Sequence, residues 1–374
     1  MRAIVVSHVY ADPAARGKLR ALAGLGVAVA AAVPDRWSPA GFSHEQKTSW
    51  GDDGGVRTVP IPIRGSSARN FDPAWHAASL RRLLSDFRPD IVQIEEEPWT
   101  RGAATLARAG RRLQLPYVVL ASESLPLTSG VLSGVLEKLR RRRTLAGAAG
   151  LVGISESAVR LGIRDNPMLP HRITPQIGVA LPLSPHRSSH VGLSIGFVGR
   201  LIPEKGLDLL FRACVKLAGR WNITVVGTGP AQEELEGLAE RLGIAGRVSW
   251  LGPLPRTGVE AVWSRLDCLV MPSRTTPRWI EAKPRAALYA MAHGVAVVAS
   301  AAGALPETLG DTGIIVPEED VSALAEVLQR LHDTPGEYTR LGAAGRRRVM
   351  DEYTDAAVAD KTLSFWRDVL RATA

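Results

Sequence analysis

The chain has 374 residues, 45% of them hydrophobic and 22% charged, a balance that excludes a disordered chain and exceeds what one core holds, so two domains are expected. No apolar run reaches bilayer length, and the two cysteines lie inside apolar segments, which excludes a disulfide framework. A formal charge of +9 with only 5% aromatic residues fits an anionic small molecule or an anionic membrane surface; basic clusters without interleaved aromatics argue against nucleic acid.

The N-terminus, Met1 to His8, enters a β-type run directly and lacks the apolar segment and cleavage site of a signal peptide, so a cytoplasmic protein is expected. Short apolar runs at Ala3–Val6, Val27–Val33, Ile91–Ile94, Tyr117–Leu120 and Leu151–Ile154 alternate with helical patterns, one of them Pro73–Phe87. Such alternation predicts parallel strands with crossover helices. His8 ends the first strand, where it can face a ligand or serve structure alone. Glu95-Glu96-Glu97-Pro98-Trp99 follows a buried strand, where α/β folds place ligand-contacting loops. Three carboxylates and an indole can receive a cationic or hydroxyl-rich acceptor such as an aminocyclitol, or form a solvated acidic loop that opens a helix.

Leu132, Val135, Leu136 and Leu139 precede Arg140 to Arg143 on one predicted helix. Its apolar face is expected to pack into the first domain with the arginines at the favourable end of the dipole, and membrane docking is the other reading. A proline-bearing polar stretch, Leu181 to His190, reads as a linker. Beyond it strands are expected at Ser194–Val198, Ile223–Val226, Arg247–Leu251, Cys268–Met271, Ala296–Ala299 and Ile314–Val316.

The first of these runs into Gly199-Arg200-Leu201-Ile202-Pro203-Glu204-Lys205-Gly206. The glycine lets a ligand approach the backbone, and two cations five residues apart can clamp a diphosphate, Arg200 as a planar fork and Lys205 as a mobile point charge. The pair Gly227 and Gly229 between the next strand and its helix suits a nucleotide against backbone N–H groups, or simply a tight turn.

With Met271-Pro272-Ser273-Arg274, Glu281, Ala290-Met291-Ala292-His293-Gly294-Val295 and Gly303-Ala304-Leu305-Pro306-Glu307, the ordered motifs resemble the donor-binding half of retaining GT-B glycosyltransferases of family four. The N-terminal half is looser, although Arg16-Gly17-Lys18-Leu19 and Ile91 to Pro98 are similar to some bacterial members. The resemblance implies an α/β fold of two Rossmann-like domains facing across a cleft. Residues 1–184 would bind the acceptor, 192–350 would bind the nucleotide sugar, and 351–374 would be a helix crossing back to the first domain.

It further implies transfer with retention. Arg200, Lys205 and Glu281 would be the catalytic set, and Gly199, Gly227, Gly229, Ser273, Lys283 and Tyr289 would line the donor. His8, Lys18, Glu95, Glu96, Glu97, Trp99 and Glu123 would lie on the acceptor side. No cofactor is expected beyond a nucleotide-sugar co-substrate of dTDP, UDP or GDP type, and the absence of any Asp-x-Asp fits a site without metal.

The chain departs from the family at Glu281-Ala282-Lys283-Pro284 and at Tyr289. Members carry Phe-Gly shortly after the first glutamate and a second glutamate at the Tyr289 position, which accepts from the ribose hydroxyls. A phenol satisfies only part of that pair, and Pro284 removes a backbone donor. A deoxyribose nucleotide, a loop rebuilt for an unusual sugar, and loss of catalysis are the three explanations. The histidine that the family often places after the Tyr117–Leu120 strand is also missing; Ala121-Ser122-Glu123 stands there. The expected function is thus transfer to a small, secondary-metabolite acceptor. The alternatives are a peripheral glycolipid or polysaccharide transferase and a transferase-like auxiliary protein.

Overall fold

The computed structural model describes residues 1–37, 46–64, 72, 74–122, 131–182 and 191–373. It divides into two units, Met1–Gly178 with Asp355–Ala374, and Val179–Thr354. The chain passes from one to the other between 178 and 179, ahead of the expected linker, of which residues 183–190 lie outside the described residues.

The main strands of unit 1 are β1 (Arg2–Val6), β2 (Ala28–Pro34), β3 (Gly51–Asp53), β4 (Val56–Ile61), β5 (Ile91–Ile94), β6 (Tyr117–Ala121), β7 (Gly150–Gly153) and β8 (His171–Ile173). They lie in the order β8-β7-β6-β5-β1-β2-β4-β3, parallel throughout except for β3 against β4. Unit 2 has β9 (Leu193–Val198), β10 (Trp221–Val226), β11 (Val248–Trp250), β12 (Cys268–Met271), β13 (Ala296–Ser300) and β14 (Ile314–Val316), all parallel, in the order β11-β10-β9-β12-β13-β14.

Both sheets are buried on both faces, which is why their strands read as apolar runs without clean alternation. In β1, Ile4 and Val6 join one cluster with Leu80, Leu84 and Leu106, whereas Ala3 and Val5 join another with Leu19, Leu22 and Trp366. Trp366 belongs to the final helix, Asp355–Thr373, whose apolar stripe Leu363, Phe365, Trp366 and Val369 completes the second cluster. The cysteines are buried in unit 2 and unpaired, and burial pushes the Cys214 thiol up to about 12.

Two expectations need correction. The helix predicted from Pro73 begins at Ala77, and Trp75 instead pairs with Ile63 in a short antiparallel bridge, because its backbone bonds are taken by that partner. Of the four residues expected to pack inward from the helix Val131–Leu145, Val135, Leu136 and Leu139 are 60%, 53% and 42% exposed, and the Leu132 side chain lies outside the described ones. Its buried side is made by Thr144, Leu145 and Arg141, the last 2.5 Å from Asp165. Arg142 also reaches Asp165 at 3.2 Å, so a carboxylate as well as the helix dipole organises this basic run.

A polar chain runs through the interior of unit 1. Lys18 Nζ lies 2.6 Å from Glu95 Oε1, with side chains 1% and 0% exposed. Gln93 Nε2 donates to the same oxygen at 2.6 Å, and Gln176 Nε2 to Glu95 Oε2 at 3.1 Å. The Trp366 indole donates to Gln93 Oε1 at 2.7 Å, tying the last helix to a central strand. Removing one partner of a buried pair leaves a bare charge, so Lys18→Met is expected to lower the unfolding free energy by about 3–5 kcal/mol in urea titrations.

In unit 2 the loops after β9 and β10 interlock through missing side chains. A Cβ on Gly227, whose φ is +133°, would stand 1.9 Å from the Gly199 carbonyl oxygen, and one on Gly229 would stand 2.2 Å from that of Leu201. Leu201 N donates to Thr228 O and Ala231 N to Leu201 O, each at 3.0 Å. The glycine pair therefore serves the contact between loops. Gly199 differs: a Cβ there would meet nothing closer than Lys205 Cε at 3.8 Å. Gly199→Ala is expected to hold the melting temperature within the equivalent of about 1 kcal/mol, while Gly227→Ala lowers it by more than that.

Candidate functional site

In each sheet the chain starts near the middle, runs to one edge, and then crosses to fill the other side. Parallel sheets of this kind open a crevice where the strand order reverses, outside the C-terminal ends of the two strands concerned. In unit 2 those strands are β9 and β12, so Gly199 and Arg200 follow one while Pro272, Ser273 and Arg274 follow the other.

Lys205 ends the tight turn Pro203–Lys205, which Gly206 closes in the left-handed conformation at φ +70°. No other residue fits there: a Cβ on Gly206 would lie 2.0 Å from the Pro272 carbonyl oxygen. Lys205 Nζ approaches Glu281 Oε2 at 2.5 Å, and Ser273 Oγ donates to the same oxygen at 3.0 Å. The ammonium also lies 5.4 Å from the centre of the Trp279 ring. The Glu281 backbone is fixed in turn, since its carbonyl accepts from Ala304 N at 2.8 Å. Ser300 Oγ donates to the carbonyl of Ser273.

Arg200 is exposed and has no ion pair among the described residues. Lys283 is exposed as well, and Pro284 is buried at the start of the helix Arg285–Ala292. Tyr289 lies within that helix, half-buried against the cluster that contains Trp263, Met271 and Val297. The structure thus unites Lys205, Ser273 and Glu281, and the two positions where the chain departs from family four both follow Glu281 in sequence.

At the corresponding reversal in unit 1, between β1 and β5, the arrangement differs from the expected acidic lip. Glu95 and Lys18 are closed off in the interior by each other. Glu97 Oε1 accepts from the backbone N–H of Ser122 at 2.9 Å and from its hydroxyl, joining the loops after β5 and β6. Glu96 is 3% exposed, and its Oε1 lies 3.5 Å from His8 Nδ1, a separation too long for a strong hydrogen bond. Burial raises the Glu96 carboxyl above its ordinary range, and the nearby imidazole offsets part of that. Trp99 is buried too, while Glu97 is half-buried, so Glu95 and Glu96 are not part of an exposed receptor or a solvated loop. They follow a central strand. His8, 28% exposed with its ring 5.0 Å from that of Trp37, and Glu97 are the half-buried members of this set. Glu123 lies outside the described residues.

The sequence reading missed Gln93 and Gln176, which satisfy Glu95, and gave no role to Arg274 or Trp279. Gln93 carried a usable signal, being the polar member of an otherwise apolar buried strand.

A family model for glycosyl transferases group 1 matches residues 192–334, and one for a glycosyl transferase 4-like domain matches 11–175. The chain is 37% identical over 311 residues to the 2-deoxystreptamine N-acetyl-D-glucosaminyltransferase of Streptomyces fradiae, covering 72% of this chain and 70% of that protein. It is 29% identical over 348 residues to the 2-deoxystreptamine glucosyltransferase of Streptomyces kanamyceticus, covering 84% and 88%. A GDP-mannose-dependent phosphatidylinositol monomannoside mannosyltransferase of Mycolicibacterium smegmatis matches at 34% over 163 residues, 42% of this chain and 43% of that one. Among solved structures, Anabaena Alr3699/HepE in complex with UDP superimposes with a TM-score of 0.73 at 14% identity, over 98% of this chain and all of that one. Sucrose-phosphate synthase from Thermosynechococcus elongatus does so with 0.70 at 19%, over all of both. The chain belongs to the group 1 glycosyltransferases of the GT-B fold, enzymes that use nucleotide-sugar donors.

Proposed function

We propose that the protein transfers a sugar, with retention, from a nucleotide-sugar donor bound by unit 2 to a small aminocyclitol acceptor bound by unit 1. The observation that carries this reading is the group of Lys205, Ser273 and Glu281 at the strand reversal of unit 2, with exposed Arg200 at the same end of the sheet. Lys205 and Arg200 neutralise the charge that grows on the diphosphate as the bond from the anomeric carbon to the phosphate oxygen breaks. The acceptor hydroxyl oxygen bonds to that carbon on the same face, and its proton passes to the departing phosphate. Glu281 accepts hydrogen bonds from the sugar hydroxyls. Neither a metal nor a protein nucleophile is part of this scheme. The two 2-deoxystreptamine transferases among the relatives support the acceptor class.

The nucleotide is proposed to be a deoxyribose one, because a phenol at Tyr289 replaces a carboxylate that would hold two ribose hydroxyls. Calorimetric titration is expected to show dTDP bound more tightly than UDP or GDP, with Lys205→Ala weakening it by about tenfold or more. A clear preference for UDP or GDP removes the deoxyribose assignment. Incubation of dTDP-, UDP- and GDP-sugars with 2-deoxystreptamine, followed by mass spectrometry, tests transfer itself; nucleotide binding without product would mark an auxiliary protein.

A second reading, transfer to a lipid-borne acceptor, is favoured by the exposed Val135, Leu136 and Leu139 beside Lys138, Arg142 and Arg143. No helix among the described residues is long and apolar enough to cross a membrane. Co-sedimentation with anionic vesicles that is lost in a Leu136→Ser, Leu139→Ser variant would establish this reading, and its absence would leave the soluble acceptor.

A further inference from the structure

Arg274 follows Ser273 directly, and its side chain is 19% exposed. Its two terminal nitrogens take both oxygens of Asp208, at 2.8 and 2.6 Å, while Nη1 also donates to the Pro203 carbonyl at 2.7 Å. Nε donates to Glu319 at 3.0 Å, and the backbone N–H of Arg274 donates to the carbonyl of Glu204 at 2.8 Å. One residue thus grips the turn Pro203–Lys205, the start of the helix Leu207–Cys214, and the loop after β14. One end of the Lys205–Glu281 contact stands on a gripped segment and the other on the loop of Arg274 itself. The turn carries Lys205, and Arg274 opens the loop that leads to Glu281.

We propose that Arg274 is the positioning residue of the donor site: its guanidinium holds the turn of Lys205 against the origin of the Glu281 loop, and so sets where the ammonium meets the diphosphate. The inference rests on the donor-site reading of Lys205 and Glu281. A planar fork with fixed donor directions is required, because four acceptors on three segments cannot be reached from one ammonium. The neighbouring Thr275 supports the same junction, its N–H and hydroxyl bonding Glu318 at 2.6 and 2.7 Å. Four of the five guanidinium N–H donors of Arg274 are taken by protein partners, which makes it a holder of Lys205 rather than a ligand of the donor.

The test uses the full chain and its Arg274→Lys, Lys205→Ala and doubly substituted variants, titrated with dTDP, UDP and GDP, with thermal denaturation run in parallel. Arg274→Lys is expected to weaken the tightest of the three about tenfold, and the double variant to bind no worse than Lys205→Ala, since coupled residues are not additive. Should Arg274→Lys fold poorly, Asp208→Asn opens the same clamp from the other side and is expected to act in the same direction. Acceptor KM stays at the wild-type value in Arg274→Lys and in Asp208→Asn. Wild-type affinity in Arg274→Lys, or an effect that adds in full to that of Lys205→Ala, overturns the positioning role and leaves the donor site standing. Wild-type affinity in Lys205→Ala overturns the donor-site reading and the role of Arg274 together.

Discussion

A carboxylate taken out of water has to meet a cation or hydrogen-bond donors before the rest of a fold can settle around it, and Glu281 sets that condition for unit 2. Its partners come from separate segments: Lys205 from the turn after β9, and Ser273 from the loop after β12. The approach of those segments has further requirements of its own. Gly206 has to lack a side chain where the Pro272 carbonyl passes, and Gly227 has to lack one beside Gly199. The glycines that look at first like room for a ligand are largely room for backbone, and only at Gly199 does the space remain open.

The same physics appears in unit 1 with a different result. Glu95 also follows a central strand and also meets a lysine, but there the pair is sealed from solvent, shared with Gln93 and Gln176, and anchored to Trp366. A pair closed in this way holds strands and helices together. The pair in unit 2 keeps one partner, Lys205, at 18% exposure, enough for an ammonium to be reached by an arriving anion. Degree of closure, more than residue type, is what distinguishes the two ion pairs in this molecule.

Much of the architecture was legible in the amino-acid order. Strands buried on both faces announce themselves as apolar runs, and β1, β5, β6, β9, β12 and β13 fall where such runs stand. β4 escaped because it contains Pro60, which the sheet tolerates since β3 pairs only with residues 56–58 and leaves that proline's side unclaimed. The grouping of Lys205, Ser273 and Glu281 was legible from residue type and motif order, and the three side chains do meet. The arrangement was not legible for Glu95 to Glu97, because three consecutive carboxylates read as solvent-facing, and only the three-dimensional neighbours show that Lys18, His8 and Ser122 each face one of them. Arg274 was hidden for the same reason: an arginine after Pro-Ser reads as surface until Asp208 is seen opposite.

Because the helix Asp355–Thr373 belongs to unit 1 while the whole of unit 2 precedes it in the chain, the two units have unequal histories during synthesis. Val179 and Thr354 pair side by side, so unit 2 leaves and rejoins the chain at one point and is complete as soon as Thr354 has emerged. Unit 1, begun first, still lacks Phe365 and Trp366, and Gln93 still lacks its indole partner. The nascent chain therefore finishes its second unit before its first, and the half made earliest is the last to gain a closed core.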